Sequence, residues 1–196
     1  MKKGITTSLL VLGILFNSSA QKTEISTKVE RISIEYKGKT VKARKLNVSS
    51  EIPMQIDSVW NNVKTSELLM YVTKGYVKLK PENDAFPKLW QEGDTVSAKT
   101  RVFGLLPFGG VRHLYFEKIS DNEHVIQTRE WDKGAKVWDH KITLEKSTNN
   151  KTLYTDEIVI YGGAMTGFIT SFAKRFYKHR QKRWQIVAKE KLIFGK

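Results

Sequence analysis

Between Thr95 and Tyr161 the chain alternates apolar and polar residues over five successive segments. A period of two is typical of strands with one covered face, and the runs between the segments are short and contain Gly, Asp, Asn or Lys. The alternation predicts strands at Thr95–Phe103, Val111–Ile119, His124–Trp131, Lys136–Glu145 and Thr152–Tyr161. Five strands joined by short connections predict an antiparallel meander.

A hairpin and two short helices are predicted ahead of this meander. Val29–Tyr36 and Val41–Ile52 alternate in the same way and are joined by a Lys-Gly-Lys turn. Helical spacing then predicts two short helices, at Asp57–Val63 and Thr65–Thr73. The stretch Pro81–Pro87 is predicted to be a loop.

One long amphipathic helix is predicted from Ala164 to about Glu190. Its apolar face holds Met165, Ile169, Phe172, Phe176 and Val187. Its opposite face holds five basic residues, Lys174, Arg175, Lys178, Lys182 and Lys189. Leaving a large apolar side chain in water forfeits roughly 1.5–3 kcal/mol, so the apolar face must lie on the meander. The predicted fold is therefore α+β, with a curved antiparallel sheet wrapped around the C-terminal helix and an apolar pocket between them.

The first twenty residues have the pattern of a secretory signal peptide. Lys2 and Lys3 precede the apolar stretch Ile5–Phe16, and small residues follow at Ser18–Ala20. The alternative, a membrane anchor, would need an apolar run of about 20 residues, and this one is shorter. We therefore predict an exported protein, periplasmic or secreted, of a bacterial envelope.

The charge and composition narrow the set of partners. The net charge of +14 falls to +12 when Lys2 and Lys3 are removed, and such a surplus favours anionic surfaces such as lipid headgroups. Export makes nucleic acid an unlikely partner, and we predict none. The chain has no cysteine, and its histidines have no metal-site spacing, so neither a metal nor a cofactor is expected.

Several short motifs occur in an order known from one superfamily. Trp138–His140 opens one strand, Leu153–Ile158 opens the next, and Tyr161 with two glycines leads into a helix that contains Phe176–Arg180. Over about residues 43–189 the chain thereby resembles the SRPBCC superfamily, which includes START domains, Bet v 1-like proteins and polyketide cyclase-like proteins. The resemblance implies a helix-grip fold that holds a small ligand between the sheet and the last helix.

The resemblance also suggests how the chain is divided. We predict a signal peptide over residues 1–20, an N-terminal extension with an extra strand over residues 21–40, and an SRPBCC-like ligand-binding domain over residues 41–196. The extra strand, the signal peptide and the strongly basic helix are departures from the typical pattern of the superfamily.

A polar set on the covered face is the main candidate for chemistry. If the hairpin pairs Leu144 with Thr152, then His140 lies opposite Asp156 on the face that carries apolar residues. Arg180 lies among the apolar residues of the last helix. The three side chains could orient a polar head of a ligand, could activate His140 as a general base, or could simply tie the helix to the sheet.

The candidate site residues follow from these placements. The predicted ligand-binding set is Phe103, Phe116, Trp138, His140, Asp156, Ile158, Phe172, Phe176 and Arg180. By resemblance, the glycine-containing loop at residues 104–110 borders the pocket entrance, with Leu105, Leu106 and Phe108. The basic helix face is either solvated or contacts an anionic membrane.

Three functions remain open from the sequence. The first is carriage or sensing of a small apolar or amphipathic molecule, lipid-like or isoprenoid-like. The second is an enzyme of the cyclase or hydratase kind that uses His140 with Asp156. The third is an envelope protein that docks on membranes through its basic helix face.

Overall fold

The computed structural model describes residues 24–83 and 85–195, without the side chains of Pro107 and Phe108. The predicted signal peptide over residues 1–20 lies outside the described residues and stays a prediction, as does the domain boundary at residue 40. In the described part of the chain no helix is both long and apolar enough to cross a bilayer.

One antiparallel sheet of eight strands forms most of the molecule. The strands are β1 (Ser26–Tyr36), β2 (Lys39–Ile52), β3 (Val77–Pro81), β4 (Thr95–Val102), β5 (Leu106–Ser120), β6 (Val125–Trp131), β7 (Val137–Lys146) and β8 (Thr152–Tyr161). Their order is β1-β2-β8-β7-β6-β5-β4-β3, so the predicted hairpin and the predicted five-strand meander are confirmed. The sheet curves around the C-terminal helix, which confirms the predicted α+β helix-grip architecture.

The edge strand β3 is absent from the sequence predictions. Val77 and Leu79 are buried while Lys78 and Lys80 are exposed, and β3 pairs with β4 from Val77↔Val102 onward. Only two apolar positions alternate here, which is too short a signal to separate a strand from the loop that follows. The sequence predictions therefore lack Val77 and Leu79, two residues of the cavity lining.

The connection between β4 and β5 is shorter than predicted. The predicted loop at residues 104–110 is in fact strand from Leu106 onward, and the turn is made by Phe103, Gly104 and Leu105. Phe103 has φ of 51° and Gly104 has φ of 72°, so two consecutive left-handed residues reverse the chain within three positions.

Two short helices, α1 (Ile56–Val63) and α2 (Ser66–Thr73), follow β2 as predicted. The hydroxyl of Thr65 accepts a hydrogen bond from the Leu68 amide at 3.1 Å, which makes Thr65 the N-cap of α2. Gly75 follows the end of α2 with φ of 87°, a conformation that suits glycine.

The long helix α3 spans Thr166–Lys189 and follows a short 3₁₀ turn at Gly163–Met165. Its inner face buries Ile169, Ala173, Tyr177, Trp184 and Val187 against the sheet and the short helices. The prediction that Met165 lies on the apolar face is wrong: its side chain is 53% exposed, because it belongs to the 3₁₀ turn and not to α3.

Candidate functional site

A cavity of about 100 Å³ lies between the sheet, α2 and α3. Its apolar lining includes Leu68, Val72, Val77, Leu79, Trp90, Leu114, Phe116, Ile126, Trp138, Ile142, Phe172 and Phe176. Its polar lining includes Thr100, Arg112, Thr128, Glu130, His140, Tyr177 and Arg180. Among the lining residues only Leu69 and Phe172 are half-buried, and the others are buried.

The volume limits what the cavity can take. Ligand pockets typically measure roughly 300–1,000 Å³, whereas an engineered apolar cavity of about 150 Å³ binds benzene. A cavity of about 100 Å³ therefore suits a group of the size of one small ring. A long lipid or isoprenoid chain would require the walls to move.

His140 and Asp156 are in direct contact, although the predicted register is wrong. The Nε2 atom of His140 lies 2.7 Å from Oδ1 of Asp156. His140 pairs with Ile158 and Asp156 pairs with Ile142, so the two strands are shifted by two residues from the predicted pairing. A shift of two keeps every side chain on its face, which is why the contact survives as a diagonal one.

Asp156 is fully buried and receives several donors. Besides His140, its Oδ2 atom accepts a hydrogen bond from Nε2 of Gln181 at 2.9 Å, and its Oδ1 atom lies 3.5 Å from the hydroxyl of Tyr154. Gln181 in turn accepts a hydrogen bond from the hydroxyl of Ser50. The carboxylate therefore joins α3 to β2, β7 and β8, and sequence reasoning missed Gln181 because it borders the basic face of the helix.

A second buried charged group surrounds Arg112. Its guanidinium donates to Oε2 of Glu130 at 3.2 Å and to Oδ2 of Asp132 at 2.6 Å, and it lies 4.5 Å from the ring centroid of Trp138. Glu130 also accepts a hydrogen bond from Thr128 at 2.9 Å. Sequence reasoning missed this group, although the strand period places Arg112 on the same face as the buried side chains of β5.

Glu130 links the two charged groups. Its Oε1 atom lies 3.8 Å from Nδ1 of His140, beyond hydrogen-bond distance. When Nε2 donates to Asp156, a neutral imidazole keeps its lone pair on Nδ1, and His140 is part of the cavity lining. A proton acceptor in the cavity is therefore geometrically possible at Nδ1.

Arg180 differs from Arg112 because it forms no hydrogen bond with any described residue. Its Nη2 atom lies 3.9 Å from Oδ1 of Asp156, its Nε atom is buried without a partner, and its guanidinium stacks 4.9 Å from the ring centroid of Tyr177. Burial lowers the pKa of Arg180, but the surrounding groups, with the Asp156 carboxylate first among them, together outweigh burial and raise this pKa above its usual value. Arg180 is thus a charged side chain, 6% exposed, with unused donors.

Two tyrosines beside these groups stay protonated. Burial raises the pKa of Tyr177 well above 10.0, and burial together with the Asp156 charge raises the pKa of Tyr154 as well. The hydroxyl oxygen of Tyr177 accepts a hydrogen bond from Nε1 of Trp138 at 3.1 Å. Its own proton has no acceptor among the described residues.

The structure divides the predicted ligand-binding set. Six of its members line the cavity: Phe116, Trp138, His140, Phe172, Phe176 and Arg180. Asp156 and Ile158 are fully buried and lie behind the lining. The prediction that Phe103 belongs to the ligand-binding set is wrong, because its side chain is 58% exposed on the β4–β5 turn and does not line the cavity.

Of the predicted entrance residues, Leu105 and Leu106 are not part of the cavity lining. Leu105 and Leu106 are 79% and 64% exposed, and the side chain of Phe108 lies outside the described part of the chain. An aromatic contact connects this turn to the cavity wall: the ring centroid of Tyr76 lies 5.1 Å from that of Phe103 and 5.7 Å from that of Phe172.

The basic face of α3 points away from the sheet. Lys174, Arg175, Lys182 and Lys189 are exposed and Lys178 is half-buried. These cations are therefore available to solvent or to a partner.

Structure comparison finds the same architecture in proteins of very different sequence. No protein-family model matches the chain, and no curated protein matches it by sequence. Protein Ms6760 from Mycobacterium smegmatis is similar with a TM-score of 0.58 and 7% identity, over 73% of this chain and 89% of that chain. Ginseng major latex-like protein 151 from Panax ginseng has a TM-score of 0.54 and 11% identity, over 74% of this chain and 96% of that chain.

A third similar structure is norcoclaurine synthase from Thalictrum flavum in complex with dopamine and hydroxybenzaldehyde. The alignment covers 94% of this chain and 98% of the synthase chain, with a TM-score of 0.54 and 10% identity. Identities this low show a shared fold and not a shared activity. The chain has the helix-grip fold of the Bet v 1-like, or SRPBCC, superfamily.

Proposed function

We propose that this protein binds a small apolar or amphipathic molecule in the cavity between its sheet and α3. The observation that carries the proposal is the cavity itself, whose walls are mostly apolar and whose polar groups include side chains of β4, β5, β6, β7 and α3. Such a site takes the apolar part of a ligand by desolvation and orients it through a few polar contacts.

The similar structures support the same kind of ligand. The norcoclaurine synthase structure holds dopamine and hydroxybenzaldehyde, each built on a single ring. A ring of that size is also what the volume of about 100 Å³ suits. Lipid-like and isoprenoid-like ligands remain within the proposal when only one end enters the cavity.

A matched pair of variants tests the site with toluene as the probe. A ligand that binds only the folded protein raises the melting temperature, so toluene should stabilise the wild type. Val77→Phe fills the cavity and should abolish the shift, whereas Val29→Phe, at an exposed position of β1, should retain it. An equal shift in both variants would place toluene elsewhere and overturn the proposal.

The natural ligand is tested by native mass spectrometry of protein isolated from its own envelope. A co-purifying molecule of constant mass, lost from the Val77→Phe variant, is the expected result. A spectrum that shows only the unliganded chain, from cells that contain the full complement of metabolites, would contradict stable carriage.

A second candidate is an enzyme of the cyclase or hydratase kind, favoured by the geometry of His140. Nε2 is fixed by Asp156 at 2.7 Å while Nδ1 remains free to accept a proton. An enzyme should lose turnover in His140→Ala and still bind substrate. Unfolding of that variant would instead assign the pair a purely structural role.

Membrane docking is the third candidate, and it rests on exposed side chains. Phe103, Leu105 and Leu106 are exposed on the β4–β5 turn. The exposed cations of α3 would each contribute about 1 kcal/mol to binding when they lie near an anionic bilayer. Sedimentation with vesicles of phosphatidylserine and phosphatidylcholine should show salt-sensitive binding, lost when Leu105 and Leu106 are both changed to Ser. Together with the predicted export signal, this proposal assigns the protein to the envelope.

A further inference from the structure

Three hydrogen-bond donors of the cavity lining have no acceptor among the described residues. They are the Nε–H of Arg180, the hydroxyl of Thr100 and the hydroxyl proton of Tyr177. Buried polar groups are almost always paired, and leaving one unpaired destabilises a protein. The two nearby carboxylates already bind other donors, since Glu130 binds Arg112 and Thr128, and Asp156 binds His140 and Gln181.

We propose that the ligand of this cavity carries an uncharged oxygen acceptor, a carbonyl, that binds the free donors of Arg180. This inference rests on the proposed ligand-binding function and names the chemical class of its ligand. A carbonyl oxygen has two lone pairs and no proton, so it matches the unpaired donors of Arg180, Thr100 and Tyr177. A charged donor makes such a bond stronger than one between neutral groups.

The charges of the buried groups argue against an anionic head. Arg112 and Arg180 face three buried carboxylates, those of Glu130, Asp132 and Asp156. The net charge is −1 with His140 neutral and 0 with His140 protonated, since the buried Tyr154 and Tyr177 stay uncharged. In neither state does the group offer the net positive charge that would offset the desolvation of a carboxylate.

Three probes of similar shape separate the possibilities. Acetophenone carries the carbonyl, α-methylstyrene replaces its oxygen with a methylene group, and benzoate replaces its methyl with a charged oxygen. A hydrogen bond to a charged group is worth roughly 1.5–3 kcal/mol, so acetophenone should bind at least about tenfold more tightly than α-methylstyrene in ligand-observed NMR titrations. Benzoate should bind more weakly than acetophenone.

Arg180→Met tests the assignment of the donor. The ratio of the two dissociation constants, α-methylstyrene over acetophenone, should fall to about 1 because the methionine keeps the length but donates nothing. The ratio is measured within one variant, so a general loss of stability does not affect it. If Arg180→Met does not fold, the infrared carbonyl stretch of acetophenone bound to the wild type decides: it should shift to lower frequency than in an apolar solvent.

The outcomes distinguish this inference from the proposed function. If α-methylstyrene binds as tightly as acetophenone, or if the carbonyl stretch is unshifted, the carbonyl assignment is wrong while the cavity remains a ligand site. If benzoate binds most tightly, the charge argument is wrong and the head group is an anion. If none of the three probes binds, the proposed function fails with it.

Discussion

Two buried arginines line the same cavity and are held in opposite ways. Arg112 on β5 donates to two carboxylates and stacks on Trp138, so its charge and its donors are used within the protein. Arg180 on α3 has one carboxylate at 3.9 Å, an aromatic ring beneath it and no hydrogen bond to a described residue. The difference indicates that Arg112 has a structural role in the cavity wall and that Arg180 can donate hydrogen bonds to a ligand.

The backbone around Arg112 reinforces this division. Asp132 accepts hydrogen bonds from the amides of Gly134 and Ala135 at 2.7 Å each, so the β6–β7 turn holds the carboxylate that holds Arg112. A Cβ atom at Gly109 would lie 2.5 Å from Cγ of Asp132, so β5 approaches this carboxylate as closely as only glycine permits. No comparable structure fixes the guanidinium of Arg180 among the described residues.

The largest expected effect is the loss of Arg112. Arg112→Met leaves Glu130 and Asp132 buried without their cation, and breaking a buried ion pair in this way costs about 3–5 kcal/mol. Urea denaturation should show this loss in the free energy of unfolding. A loss below about 1 kcal/mol would mean that water reaches the two carboxylates, and the contrast between the arginines would disappear.

Arg180→Met should be the milder change. Asp156 keeps its donors from His140 and Gln181, and a desolvated cation with no hydrogen bond is removed, so we expect a loss of roughly 1–2 kcal/mol. The same urea titration measures it beside Arg112→Met. Equal losses in the two variants would show that Arg180 is as structural as Arg112.

The sequence predicts the faces of this site better than its contacts. The period of two keeps His140 and Asp156 on the covered face for any register shift of an even number of residues, and the observed shift of two therefore leaves them in contact. The register itself depends on the turn at residues 147–151, where Asn149 and Asn150 adopt φ of 58° and 56° and bring Lys146 opposite Thr152. Periodicity carries no information about such a turn.

The same limit applies to the charged groups. The alternation of side chains along β5 and β6 is enough to place Arg112 and Glu130 on the covered face, so both residues are predictable from the sequence. The missing hydrogen bonds of Arg180 could not be found this way, because they depend on small differences in the distances between packed side chains. Sequence reasoning could name Arg180, but it could not show that its donors are free.

The free energy of unfolding should depend on alkaline pH because Tyr177 is buried. Burial raises the pKa of Tyr177 above the 10.0 of an unfolded tyrosine, so above pH 10 the unfolded state releases a proton that the folded state retains. Stability should be constant with respect to this group below about pH 10 and should fall by about 1.4 kcal/mol per pH unit above it. Tyr177→Phe should reduce the slope of the free energy of unfolding against pH between pH 10 and pH 11, which urea denaturation at several pH values measures.

Two threonines of the cavity lining should have effects of opposite sign on stability. The hydroxyl of Thr100 has no partner among the described residues, whereas the hydroxyl of Thr128 donates to Glu130 at 2.9 Å. Replacing an unpaired buried hydroxyl with a methyl group removes a desolvation penalty, so Thr100→Val should raise the free energy of unfolding by about 1 kcal/mol. Thr128→Val removes a donor from a buried carboxylate and should lower it by about 1–3 kcal/mol. Valine and threonine have nearly the same shape, so urea denaturation of the ligand-free protein measures mainly the effect of the hydroxyl on the free energy of unfolding. Destabilisation by Thr100→Val would show that the hydroxyl of Thr100 is already paired.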